Sequence, residues 1–235
     1  MSTHLNLLGG DVPPGTGEPL AGAAVAVWSL DTTLDVVGGH RVEEALALLD
    51  AEERDRSARF VRPVDRHRYL ASHIGLRVLL GGYLGTAPEE VTLVRDTCPC
   101  CGAPHGRPAV AGGGLQFSLS HSDDLAYLAF AAVPVGVDVE KHPSAQAVAD
   151  VLGTLHPAET AELTAAPEEE RQMLLARLWA RKEACLKGLG TGLALGVAEP
   201  YVGSGSAPAE VAGWHLTDLP APGGYAAALA VRTPA

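Results

Sequence analysis

Hydrophobic and polar positions alternate most strictly in Val135-Gly-Val-Asp-Val-Glu140. Such alternation predicts a strand that turns its valines to one face and aims Asp138 and Glu140 at the other. Apolar runs at 23–30, 115–119 and 125–132 predict further strands. Pro134 predicts a turn between the last of these and the alternating strand, so that the two form an antiparallel hairpin. Helical spacing appears in Leu70, Ile74, Arg77, Val78 and Gly81, within a helix that starts near Pro63 and stops between Gly81 and Gly85. A helix over 42–60 precedes it. The strongest helix is expected over 167–189, with Glu168, Glu169 and Glu170 at its positive end and Gly188 and Gly190 at its close. Weaker helical patterns fill 147–155 and 157–164, and short strands are expected around Trp214 and over 225–231. Between the two strong helices, residues 95–114 form a Cys/Gly/Pro-rich connection of the length that often carries function.

The chain has 235 residues, enough for one ordinary domain or two small ones, and 47% of them are hydrophobic. No run approaches roughly 18 apolar residues, and the first fourteen lack the plan of a signal peptide, so a cytoplasmic protein with no membrane partner is expected. The net charge of −11 argues against general nucleic-acid binding. That average conceals a basic island. Between Arg54 and Arg77 stand seven arginines and two acids, a patch suited to a compact polyanion.

Three segments hold candidate chemistry. Asp138 and Glu140 are two oxygen ligands aimed at one point, as a small hard cation requires, although an exposed polar strand face has the same pattern. Trp179, Glu183 and Lys187 are spaced four apart and share one helix face; an ordinary Glu–Lys pair on a solvated helix reads the same way. Phe117-Ser-Leu-Ser120-His121-Ser122 ends a strand with hydroxyls and an imidazole that suit phosphate oxygens, whereas a hydrolase triad is disfavoured because no Gly-x-Ser-x-Gly elbow accompanies it. Trp28, Trp179 and Trp214 read as core residues. Cys98, Cys100, Cys101 and His105 admit a zinc site, but with no second C-x-x-C pair the expected state is a reduced, metal-free loop.

In their order and content these segments resemble the 4′-phosphopantetheinyl transferase superfamily, in particular its Sfp-type members. The resemblance rests on Gly136-Val-Asp138-Val-Glu140, on Trp179-x-x-Lys182-Glu183-Ala-x-x-Lys187 and on the Ser-His-Ser turn. Arg59-Phe60, His67-Arg68 and Gly106-Arg107-Pro108 extend it over about 50–195. It implies an α+β fold of two similar halves related by a pseudo-twofold, 1–133 and 134–235, with the active site between them and a monomer sufficient. It further implies transfer of the phosphopantetheine arm of coenzyme A to a serine of an apo acyl or peptidyl carrier protein of polyketide or nonribosomal-peptide synthesis, releasing 3′,5′-ADP. Asp138, Glu140 and Glu183 are thereby implied as ligands of Mg²⁺, with Mn²⁺ an acceptable substitute. Arg68, Arg107, Ser120 and His121 are implied as contacts to the nucleotide and its phosphates, and Lys182 and Lys187 as diphosphate contacts. Glu183, or a metal-bound water it orients, is implied as the base. Where the resemblance implies lysines near the 3′-phosphate, this chain has Glu52 and Asp55. Two other readings of the residues stay open: a metal-dependent hydrolase of coenzyme A or another nucleotide diphosphate, and a non-catalytic module that docks an acidic carrier through its basic island.

Overall fold

The computed structural model describes residues 4–11, 13, 20 and 24–233. Strands β1 (Leu5–Leu8), β2 (Val25–Asp31), β3 (Val36–Val37) and β4 (His40–Arg41) are followed by helices α1 (Ala51–Ala58) and α2 (Pro63–Leu84). Ala23, the first residue of the expected opening strand, lies outside the described residues. Strands β5 (Leu93–Arg95), β6 (Pro108–Val110), β7 (Gln116–Ser122), β8 (Leu125–Ala131) and β9 (Val135–Lys141) come next. Helices α3 (Ala145–Val151), α4 (Pro157–Ala165) and α5 (Arg171–Leu189) then lead to β10 (Trp214–Leu219) and β11 (Tyr225–Arg232).

The helix expected over 42–60 is two pieces. A 3₁₀ turn covers Ala45–Leu48, and α1 starts afresh after Asp50. Asp50 accepts from the Glu53 N–H at 2.9 Å while Glu53 accepts from the Asp50 N–H at 3.0 Å, a reciprocal cap that stabilises a helix start at this point. Pro63 opens α2, and Gly85, at φ +66°, closes it in the left-handed conformation that glycine adopts without steric cost.

Two sheets carry the fold. One has the order β1-β2-β8-β7, with β1 parallel to β2 and the other pairs antiparallel; the other has the order β10-β11-β9, all antiparallel. The expected hairpin between β8 and β9 is not formed. Both edges of β8 are taken by β2 and β7, so the chain crosses at Pro134 into the second sheet, where β9 pairs with β11. The hairpin in this region is β7–β8, turning at Asp123, whose φ is +46°.

Each sheet lays one face on a long helix. Leu70, Ile74 and Leu79 of α2 bury against Leu30, Leu128 and Phe130, and Leu178, Cys185 and Leu186 of α5 bury against Trp214, Leu216 and Ala228. The opposite faces meet each other, with Val27, Tyr127 and Ala129 packed on Val135, Val137 and Val139. Those valines are the apolar half of the alternating pattern. The acidic half faces α5.

Candidate functional site

The approach of α5 to β9 depends on a residue without a side chain. A Cβ at Gly136 would lie 2.0 Å from the Ala184 carbonyl oxygen and 2.5 Å from the Gly188 nitrogen, so the helix backbone rests directly on the strand. The next residues outward on that strand face are Asp138 and Glu140, and the α5 residues on either side of this contact include Glu183 and Lys187. The two sequence periods thus converge in space, strand period 2 against helix period 3.6.

Asp138 is buried, 2% exposed. Its Oδ1 accepts from Lys187 Nζ at 2.5 Å and from Ser120 Oγ at 2.7 Å, while Oδ2 is buried with no hydrogen-bond partner. Burial raises the Asp138 pKa above the usual carboxylate range, against the pull of the Lys187 ammonium. Glu140 is pushed up to about 7, by burial first and then by the Asp138 and Glu183 charges. Glu183 is raised as well, by burial and by Asp138. Asp138 raises both glutamates and Glu183 raises Glu140, so the three acids form a site short of positive charge even with Lys187 present. Among the described residues, the group of three such side chains whose ligand atoms all lie within 4.8 Å of one another is Cys98, Cys101 and His105; the three acids stand wider apart.

Beside the acids opens a cleft of about 730 Å³, within the range of nucleotide-sized sites. Arg56, His73, Arg95, Arg107, His121 and Lys187 line it, with Asp50, Glu52 and Glu53 at one side. Arg107 is held in place by Asp96 at 3.0 Å, Gln116 at 2.6 Å and the Gly188 carbonyl at 3.0 Å, so it ties the cleft wall to the end of α5. Burial lowers the His121 pKa, and the neighbouring His73 and Lys187 charges lower it further. A smaller, mostly apolar hollow of about 180 Å³ lies against Glu140, walled by Trp179, Leu175 and Val151.

Three implied contacts stand elsewhere. Lys182 is fully buried, and its ammonium is engaged by Glu159 at 2.8 Å and by the carbonyls of Ala198 and Pro200, which leaves it no path to a diphosphate. It is a core ion pair. Ser120 is buried and does not line the cleft; its hydroxyl donates to Asp138, which makes it a positioning residue for that acid. The pattern of alternate serines has the same origin, since Ser118 accepts from the Val137 N–H and Ser122 from the Lys141 N–H, each at 3.1 Å, latching β7 to β9 across the sheet boundary. Arg68 is also absent from the cleft wall and is engaged by Asp124, Asp123 and Asp65. Trp28 and Trp214 are core residues as expected, and Trp179 is half-buried beside Glu140.

Sequence reasoning counted Arg56 in the basic island but did not single out His73 or Arg95 as lining the cleft. His73 and Arg77 sit four apart on α2, and the signal was available in that spacing: both reach Glu53, Arg77 at 2.6 Å and His73 at 2.8 Å.

Comparison with known proteins bears on this site. Residues 134–230, the stretch holding Asp138, Glu140, Glu183 and Lys187, match the 4′-phosphopantetheinyl transferase superfamily. The chain is 33% identical over 160 residues to the 4′-phosphopantetheinyl transferase HetI of Nostoc sp., a match covering 66% of this chain and 65% of that protein. It is 29% identical over 198 residues to a phosphopantetheinyl transferase of Thraustochytrium sp., covering 74% and 64%, and 25% identical over 155 residues to the 4′-phosphopantetheinyl transferase Sfp of Bacillus subtilis, covering 65% of each. The chain therefore spans just under two thirds of the length of these relatives.

Proposed function

Since the chain belongs to the 4′-phosphopantetheinyl transferase superfamily, we propose that it transfers the phosphopantetheine arm of coenzyme A to a serine hydroxyl of an apo carrier protein and releases 3′,5′-ADP. One observation carries the reading. Asp138 and Glu140 from β9 and Glu183 from α5 gather around Lys187, whose ammonium bonds Asp138 and whose side chain lines a cleft large enough for a nucleotide.

The acids fit a divalent cation such as Mg²⁺. Asp138 keeps a buried carboxylate oxygen without a partner, and all three carboxyl groups are raised toward neutrality, so each has an oxygen whose ionised form a cation would favour. Asp138, Glu140 and Glu183 would hold it, and when bound it would supply charge neutralisation to the diphosphate.

The protein's own residues account for the remainder. Arg56, Arg107 and His121 are placed to bind the nucleotide and its phosphates along the cleft. Glu183, one helical turn before Lys187, takes the proton from the serine hydroxyl as that oxygen attacks the pantetheine-bearing phosphorus. The bond from that phosphorus to the bridging oxygen breaks, and the electron pair leaves with 3′,5′-ADP. Lys187, on the cleft wall, offsets the charge gathering on the phosphates.

The same reading treats 1–133 and 134–235 as two halves of a duplicated fold. What supports it is the topology: β2, α2, β7 and β8 on one side and β9, α5, β10 and β11 on the other follow one chain order, and each sheet sets its first strand beside its third and its third beside its second. A cleft completed within one chain is consistent with an active monomer. Acidic carriers of polyketide or nonribosomal-peptide synthesis are the proposed partners; nucleic acid and membranes are not. Among the described residues no helix is long and apolar enough to cross a membrane, and a cytoplasmic site of action is part of the proposal.

Incubation with coenzyme A, Mg²⁺ and each of several apo carrier proteins should add the phosphopantetheine mass to one carrier serine. Absence of the adduct on all of them defeats the proposal, and release of 3′,5′-ADP without a carrier assigns the site to hydrolysis instead. In Glu183→Gln the transfer rate should fall about 10²-fold or more while the carrier still binds.

A further inference from the structure

The tip of the β5–β6 hairpin takes no part in the reaction proposed above, yet it gathers three metal-ligand side chains. β5 and β6 pair from Leu93 opposite Val110 to Arg95 opposite Pro108, and the Asp96 N–H donates to the Arg107 carbonyl at 2.9 Å. Beyond that pair the chain folds back on itself. The Gly102 N–H donates to the Cys98 carbonyl and the Cys98 N–H to the Ala103 carbonyl, each at 2.8 Å, with Gly102 at φ +74° making the reversal. The backbone N–H groups of Cys100 and Cys101 are directed at the Cys98 sulfur, an arrangement that favours a thiolate there.

This turn sorts the cysteines in a way the sequence spacing concealed. Cys98 is buried, Cys100 is exposed and touches Cys98 without joining the trio, and Cys101 turns back toward His105, with its Sγ 3.0 Å from His105 Nε2. The ligand atoms of Cys98, Cys101 and His105 all lie within 4.8 Å of one another. Zinc–sulfur bonds of about 2.3 Å and zinc–nitrogen bonds of about 2.0 Å in a tetrahedron set ligand atoms about 3.5–3.8 Å apart, so the trio needs only small adjustments to close on one ion. The effective motif is C-x₂-C-x₃-H, with Cys100 outside it.

We propose that Cys98, Cys101 and His105 bind one zinc ion, with water in the fourth position, and that the ion staples the hairpin tip next to the cleft. Two thiolates and an imidazole in a tetrahedral arrangement select zinc over the hard cations that suit the carboxylates of the other site. None of the four cysteines is engaged in a disulfide, which leaves Cys98 and Cys101 open to a metal. The consequence reaches the cleft because Cys98 and His105 line it and Arg107, two residues past His105, bridges to the end of α5.

The test is metal analysis of the full chain, purified without a metal-affinity tag or chelator. About one zinc per chain is expected, released in proportion as a mercurial titrates the thiols. Chelator-stripped, reduced protein titrated with Co²⁺ should show the intense red-region absorption of a tetrahedral thiolate site. Cys101→Ser and His105→Ala should each lose the ion, whereas Cys100→Ser should keep it. Cys98→Ser is a further arm, and where burial of Cys98 makes that variant fold poorly, the two variants at the solvent-facing ligands carry the test. Protein without zinc and without the Co²⁺ bands overturns the proposal. So does zinc that survives Cys101→Ser and His105→Ala, or that is lost with Cys100→Ser.

Discussion

Lys187 reaches Asp138 at 2.5 Å from the wall of the cleft, so a solvent-facing ammonium holds the charge of a carboxylate that has no solvent of its own. The pair joins α5 to β9 by charge where Gly136 joins them by contact. Removing the ammonium leaves the buried Asp138 carboxylate without its charged partner. Lys187→Met should therefore lower stability by about 2–4 kcal/mol near pH 8, the range for breaking a pair whose acid is buried and whose base is partly exposed. The loss should shrink as the pH falls and Asp138 takes up a proton. Urea denaturation of both proteins from pH 8 down through the acid range checks it, and a loss that does not change at any pH where the parent stays folded contradicts the pairing.

Ser120 acts on the site through Asp138 and not through the cleft. Ser120→Ala deletes one hydrogen bond to a buried carboxylate, worth about 1–3 kcal/mol of stability. If the residue positions Asp138, the transfer rate should fall with little change in KM for coenzyme A. A residue that held a phosphate would raise KM instead. Steady-state kinetics of the variant separates the two, and a KM raised severalfold with an unchanged rate returns Ser120 to the phosphate contacts.

The parts of this site that were legible in the sequence are those a local period encodes. Alternation put Asp138 and Glu140 on one strand face, and four-residue spacing put Glu183 and Lys187 on one helix face; folding then only had to bring the two faces together. The break at Asp50 was also present in the sequence, as an Asp with a Glu three residues on, but the apolar positions on both sides suggested one continuous helix. What was not legible is pairing between distant segments. Lys182 is a core residue because Glu159 waits on α4, and no local pattern links the two. The serines of β7 bond to a strand of the other sheet, and the short link through Pro134 suggested a hairpin because it carries no sign that β8 has both edges occupied.

Glu140 gives the metal-free protein a distinctive pH dependence. Its folded pKa of about 7 lies above the ordinary 4.5, so between these values the native protein holds a proton that the unfolded chain has released. Stability therefore falls as pH rises through that window, and the full penalty is present above pH 7. The shift corresponds to roughly 3 kcal/mol, which partial exposure of the side chain reduces to about 1–2 kcal/mol. Glu140→Gln should be more stable than the parent by that amount at pH 8 and indistinguishable from it near pH 4.5. Thermal melts in chelator across this range measure the difference, and a variant that tracks the parent at every pH rules out a raised Glu140.

Gly136 supplies the geometric condition for everything else at the site. A methyl group there would sit 2.0 Å from the Ala184 oxygen and 2.5 Å from the Gly188 nitrogen, both backbone atoms of α5 that no side-chain rotation can move aside. The helix itself must retreat, and with it Glu183 and Lys187. Gly136→Ala should cost about 3 kcal/mol or more, at the upper end for overpacking because the obstacle is backbone. Its remaining folded fraction should transfer poorly, since the acids on β9 and α5 are drawn apart. Gly153→Ala is the matched control, for a Cβ there meets nothing within 4 Å. Denaturation and carrier-loading rates of the two variants side by side decide the matter: an active, stable Gly136→Ala protein means that α5 and β9 do not meet as described, and that Asp138 and Glu183 cannot share one centre through this contact.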